Sequence, residues 1–234
     1  MTQEPRQIPL LMRSEDLATW DNWLSRPETA ALEQLLRGQV PEHSAYVWGR
    51  EGMGKSHILQ ACCDAEGPDA RYIPLRDMVD FAPEQVLADA EIARLIAIDD
   101  IDCVESRAGW QEALFALFNA SRETGAQLLV TANKAPQQLL EALPDLRSRL
   151  SSLPVFLMPR FTEDHIAGLL ALHGAEAGIE FSDDVARYCS LRLPRHPRAV
   201  VSFINRLDQL SLAQRRAVTI PFVRESGLLR QAEG

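Results

Sequence analysis

The 234-residue sequence predicts an α/β fold in which a parallel five-stranded sheet is flanked by helices and followed by a small all-helical C-terminal domain. Three observations carry that expectation. Five short apolar runs alternate with stretches of helical period, a G-x-x-x-x-G-K-S string joins the first run to a helical stretch, and the strand signal stops near residue 160.

The elements follow in order. Residues 1–13 read as an extended tail, because Pro5 and Pro9 exclude a helix and no period emerges. The runs AYVWG (45–49), RYIPL (71–75), RLIAID (94–99), AQLLVTA (126–132) and LPVFLM (153–158) read as strands buried on both faces. Between the third and fourth, Trp110, Ala113, Leu114, Leu117, Phe118 and Ser121 recur at the spacing of one helical face, and Gly125 supplies a stop. From Thr162 onward three or four helices are expected, with starts at Thr162, Ser182, Pro197 and Pro221. The division expected is therefore 1–13, 14–161 and 162–234.

Composition narrows the function. The net charge is −9, and residues 1–161 carry all of the excess, with 15 Lys+Arg against 24 Asp+Glu. The remainder has nine of each. Such a surface repels a phosphate backbone, so strong nonspecific DNA binding by the main domain is not expected. No apolar run approaches the roughly 18 residues of a membrane span, and the first residues lack the pattern of a signal peptide. A soluble, cytoplasmic protein is expected. Cys62, Cys63, Cys103 and Cys189 have neither C-x-x-C spacing nor a pairing with nearby histidines, so reduced thiols are expected rather than a zinc or redox site.

The chemistry concentrates in Gly49-Arg50-Glu51-Gly52-Met53-Gly54-Lys55-Ser56, with His57 following. Glycines at Gly49, Gly52 and Gly54 let backbone N–H groups, Met53 included, curl around phosphates, and the next helix points its positive end at them. Lys55 reaches the β and γ oxygens, and Ser56 can ligate Mg²⁺. Some 45 residues later, Leu95-Ile96-Ala97-Ile98 ends in Asp99 and Asp100. At such a strand end Asp99 holds Mg²⁺ through water, and Asp100 can orient the attacking water. ADP or ATP with Mg²⁺ is the ligand these residues imply.

Together these strings resemble the AAA+ ATPases, and within them the DnaA branch, over about residues 17–224. Thr19-Trp20-Asp21-Asn22-Trp23-Leu24 looks like the aromatic segment that precedes such domains, which implies that Trp20 packs near the adenine. Asp99-Asp100 is similar to the acidic pair of that branch, and the shorter Asp100 implies slow intrinsic hydrolysis. Asn133, after LLVTA, resembles sensor 1, although it also suits a chain turn. Arg149 resembles the arginine finger, with Arg147 close enough to compete for the role. Arg198 resembles sensor 2; behind Pro197 in a first helical turn, its charge opposes the helix dipole unless a phosphate offsets it.

The branch also includes Hda-type regulators, which the sequence resembles more than the initiator. It stops after Thr219-Ile220-Pro221-Phe222-Val223 and offers no DNA-binding helix-turn-helix, while Gln7-Ile8-Pro9-Leu10-Leu11 resembles a peptide that docks on the sliding clamp, the beta subunit of DNA polymerase. The resemblance implies contacts through Gln7, Ile8, Leu10 and Leu11. It further implies the DnaA initiator as partner, a trans-acting Arg149, and DNA reached mainly through the clamp, with a homo-oligomer left open. A self-sufficient ATPase or helicase loader and a noncatalytic clamp adaptor are the alternatives.

Overall fold

A computed structural model describes residues 18–38 and 44–231. After a 3₁₀ turn at Pro27–Thr29, helix α1 (Ala30–Arg37) leads to strand β1 (Ala45–Trp48), and α2 (Lys55–Glu66) follows the glycine-rich loop. Strand β2 (Ala70–Pro74) leads through two single-turn helices, α3 (Leu75–Met78) and α4 (Pro83–Val86), into β3 (Leu95–Asp99). Then come α5 (Ala108–Thr124), β4 (Gln127–Ala132), α6 (Pro144–Ser151) and β5 (Val155–Leu157). The rest is helical: α7 (Glu163–Glu176), α8 (Asp183–Ser190), α9 (Pro197–Gln214), α10 (Ile220–Ser226) and α11 (Leu228–Gln231).

The five strands form one parallel sheet in the order β2-β3-β4-β1-β5. Side chains alternate between its faces, as a two-residue period requires. Ala45, Val47, Leu95, Ala97 and Leu129 face one core with Ile58 and Leu59 of α2; Tyr46, Ile96, Ile98, Leu128 and Val130 face the other with Leu114 and Phe118 of α5 and Leu146 and Leu150 of α6. Each fully buried large apolar side chain is worth roughly 1.5–3 kcal/mol. The first core continues without a break into the C-terminal helices through Phe161, Ile166, Leu170, Val200 and Phe203.

Two expectations need correction. Burial on both faces holds for β1, β3 and β4 but not for β2 and β5, because these are the sheet's edges; Val155 and Leu157 remain 39% and 57% exposed. Among the described residues the C-terminal part also has five helices rather than three or four, since Gly227 adopts a left-handed conformation (φ 68°) that ends α10 and lets Leu228 and Leu229 turn back into the core. The expected starts are otherwise close: Thr162 and Ser182 precede α7 and α8, Pro197 opens α9, and Pro221 is the second residue of α10.

Arg26 ties the layers together. Its buried guanidinium donates to the Pro159 carbonyl (3.1 Å) and the Met158 sulfur (3.4 Å), and it stacks 4.2 Å from the centre of the Phe161 ring. The segment before α1 thereby grips the chain where it leaves β5 for α7. Among the described residues no helix is long and apolar enough to cross a membrane. All four cysteines are free, and burial pushes their thiols up to about 12 for Cys62, Cys63 and Cys189 and about 11 for Cys103.

Candidate nucleotide site

The sheet order places β1 beside β4, so the loop leaving β1 and the residues ending β3 and β4 converge at the carboxyl edge, where open α/β sheets bind ligands. The loop starts as the Gly49 N–H bonds the Ala132 carbonyl (3.2 Å). Gly54 needs φ +93°, and a Cβ there would lie 3.2 Å from the Trp23 ring, which explains why only glycine fits. Helix α2 begins at Lys55, and the N–H groups of its first turn have no helical carbonyl before them to bond, the ladder starting only with Ile58 N–H on the Gly54 carbonyl. The N–H groups of Gly52, Met53, Gly54, Lys55 and Ser56 have no acceptor among the described residues.

Lys55 is 5% exposed, and its ammonium donates to the carbonyls of Gly49 (2.9 Å) and Arg50 (3.0 Å) and to the Asn133 amide oxygen (3.0 Å). Burial lowers its pKa, opposed by the carboxylates of Asp100, Asp99, Asp102 and Glu51. An ammonium only donates, so the Asn133 oxygen faces Lys55 and its NH₂ faces away. There Asp102 accepts from both the Asn133 backbone N–H and its Nδ2 (3.1 Å each). Asn133 is thus held at both ends of its amide, which is more than a chain turn needs.

The two acids differ. Asp99 is buried, accepting from the Tyr72 hydroxyl (2.7 Å) and the Thr131 hydroxyl. Burial, with Asp99 beside it, keeps the Tyr72 phenol protonated far above its ordinary range. Asp100 takes a left-handed conformation (φ 56°), its N–H bonds the Thr131 oxygen (2.9 Å), and its carboxylate accepts from Arg76 Nε (3.0 Å). Burial and then Asp99 raise the Asp100 pKa, while Arg76 and Lys55 lower it, leaving a net rise. Thr131 therefore links the two acids through one hydroxyl. The Ser56 side chain is exposed one residue into α2. This donor set fits a phosphate-bound Mg²⁺, which Ser56 and Asp99 would hold; no cluster of three or more His, Cys, Asp or Glu competes among the described residues.

The remaining predicted residues divide. Trp20 stacks under Arg37 (4.2 Å) and meets the edge of Trp23 (6.2 Å). Trp23, which sequence reasoning did not single out for the site, packs on Gly54 and on the His57 ring (5.4 Å). His57 Nε2 bonds the Thr19 carbonyl (3.1 Å) and so carries the proton. Arg198, exposed, is the second residue of α9; the preceding His196 caps that helix through Ala199 N–H (3.2 Å) and sits where a Cβ on Gly52 would touch it at 3.3 Å. The start of α9 thereby abuts the phosphate loop. Arg147 donates to the Leu139 carbonyl (3.5 Å), whereas the guanidinium of the half-buried Arg149 has no hydrogen bond or ion pair among the described residues, its carbonyl accepting from Ser152. Gln7, Ile8, Leu10 and Leu11 lie outside the described residues. Asp102, Thr131, Tyr72 and Arg76 were not foreseen; only the position of Asp102, two residues past the acidic pair, could have hinted at a role.

Comparison with known proteins agrees with this arrangement. The family described as "Hda, lid domain" matches residues 163–226, and the bacterial DnaA ATPase domain matches residues 76–153. Domain III of the Thermotoga maritima replication initiation protein DnaA superposes with a TM-score of 0.74 at 23% identity, covering 92% of this chain and 95% of that one. DnaA of Aquifex aeolicus bound to AMPPCP gives 0.71 at 18% identity over 83% of this chain and 65% of that one. A DnaA bound to AMPPCP and single-stranded DNA gives 0.69 at 17% over 85% and 68%. The two matched segments contain Asp99, Asp100, Asn133, Arg149 and Arg198, and the phosphate loop stands on its own motif and geometry. With the sheet order and the C-terminal helices, they make the chain a DnaA/Hda-like AAA+ protein.

Proposed function

We propose that the chain is a DnaA-related negative regulator of replication initiation, which binds an adenine nucleotide and stimulates hydrolysis of DnaA-bound ATP. In this reading residues 1–13 are a tail that docks on the DNA-loaded sliding clamp in the cytoplasm through Gln7, Ile8, Leu10 and Leu11. Residues 14–161 bind ADP or ATP, and residues 162–234 close over it as a lid.

The observation that carries the reading is the contrast between the two catalytic halves. Asp100, the acid that would orient water on the chain's own nucleotide, is engaged by Arg76, while Arg149 keeps its guanidinium free of partners among the described residues. Loop N–H groups and Lys55 hold the phosphates, Asn133 keeps Lys55 aligned, and Arg198 at the start of α9 senses phosphate from the lid side. Bound Mg²⁺ would neutralise phosphate charge, with Ser56 and Asp99 keeping it in register. Arg149 enters the ATP site of DnaA and stabilises the charge that develops during transfer, an effect worth about 10³–10⁵ in rate for fingers supplied in trans.

DnaA loaded with labelled ATP is mixed with this protein, clamp and DNA, each omitted in turn. Stimulated hydrolysis that requires all three is expected, as is a fall of about 10³-fold toward the basal rate in Arg149→Ala with clamp binding intact. Brisk ATP turnover by the chain alone would favour the self-sufficient ATPase, for which the sequence supplies Lys55, Ser56, Asp99 and Asp100. Stimulation that survives in Arg149→Ala would favour the adaptor.

A further inference from the structure

Asn133 and Asp102 do not end the polar network that starts at the phosphate loop. Asp102 belongs to the 3₁₀ turn Ile101–Val104, which delivers Glu105 directly behind it. The Glu105 carboxylate is 9% exposed and accepts from Lys134 Nζ (2.7 Å), the neighbour of Asn133, and from the Glu141 backbone N–H (3.0 Å). The Tyr46 hydroxyl, from the buried centre of β1, pins the Lys134 carbonyl (2.8 Å). Two routes out of Asn133, one through Asp102 and the turn and one along the chain to Lys134, just past the end of β4, therefore meet at Glu105.

From there the network reaches α6. Gln111 is 4% exposed; its Nε2 donates to the Glu105 carbonyl and to the Glu141 carbonyl (3.3 Å), and its Oε1 accepts from the Leu143 N–H (2.6 Å). Leu143 is the residue on which α6 starts, six positions before Arg149. Next to these bonds lies a cavity of about 10 Å³, lined by Ile101, Val104, Glu105, Gln111, Leu146 and Leu150, so the turn, α5 and α6 meet at one point around Glu105 and Gln111. Buried polar networks with every member satisfied hold a single arrangement rigidly, and losing one member is costly.

We infer that Glu105 is a positioning residue that couples the chain's own phosphate site to the placement of the helix carrying Arg149. A nucleotide phosphate competes with Asn133 for the Lys55 ammonium; Asn133 and Asp102 then readjust, and Glu105 passes the change to residues 141–143 and so to α6. The inference rests on the finger reading of Arg149 for its purpose but not for its test.

That test is hydrogen exchange of the α6 amides with and without saturating ADP or ATP. Couplings between sites amount to about 5–150-fold, so a change of at least about fivefold at residues 147–150 is expected in the parent chain. Glu105→Ala should lose it while still binding nucleotide by thermal shift, and Glu105→Gln, which keeps an acceptor for the Glu141 N–H but offers Lys134 only an NH₂, should restore at most about half of it. Lys134→Ala, half exposed and safe for folding, should at least halve the response even if Glu105→Ala does not fold. No response in the parent, or an undiminished one in Glu105→Ala or Lys134→Ala, overturns the coupling. Arg149→Ala should leave the exchange response intact; if it also leaves stimulation of DnaA intact, the finger reading falls alone.

Discussion

At the scale of single residues, the protonation of His57 has a measurable consequence. Burial holds its pKa below the usual 6.5, although its bond to the Thr19 carbonyl pulls the other way. A folded-state value under the unfolded one means that the neutral ring's contribution is complete above about pH 6.5 and is lost as the pH falls through that value toward the folded pKa. The melting temperature should therefore decline between about pH 7.5 and about pH 5.5, and His57→Gln should flatten that slope. A slope unchanged in the variant would show that the ring does not carry it. The glycines, Lys55, Ser56 and the acidic pair were legible because their spacing is dictated by phosphate and metal chemistry. Trp23, Asp102 and Thr131 were not, because their roles depend on which strand ends adjoin, and sequence separation hides that.

Elements were more readable than their ends. Helix α5 appears where the apolar period places it, with Gly125 ending it in a left-handed conformation (φ 75°), and three of the five strands are buried as their composition requires. Strand β5 is as apolar as these, and β2 differs by Arg71 and Pro74, but strand order, which no local pattern encodes, left both at the edges. Tertiary crowding is equally silent in sequence. In α7, a Cβ on Gly174 would lie 2.6 Å from the Phe181 ring and 2.9 Å from the Ile179 carbonyl, so the turn into α8 closes only over a bare backbone. Gly174→Ala should destabilise the C-terminal helices by about 1–3 kcal/mol despite alanine's better helix propensity, as read by chemical denaturation. A stabilised variant would mean that Phe181 moves aside freely.

For the whole molecule, the continuous core running from α2 across the sheet into α7–α10 means that loop, sheet and lid helices melt together, so a ligand held by the loop stabilises all of them. Nucleotide at about 100 times its dissociation constant adds about 2.7 kcal/mol, a rise of roughly 5–10 °C for a chain of this size. Lys55→Ala should lose most of that rise because it removes a charged donor worth about 1.5–3 kcal/mol. A full rise in the variant would place the ligand elsewhere. The open flank of the sheet has a different consequence, one of colloidal behaviour. A three-residue edge strand with Val155 and Leu157 bare to water is a template on which another chain's strand can add, and its shortness is the main restraint. Concentrated protein should scatter light increasingly on storage, and a single lysine in place of Leu157 should suppress that scatter at no cost to the nucleotide-induced rise in melting temperature.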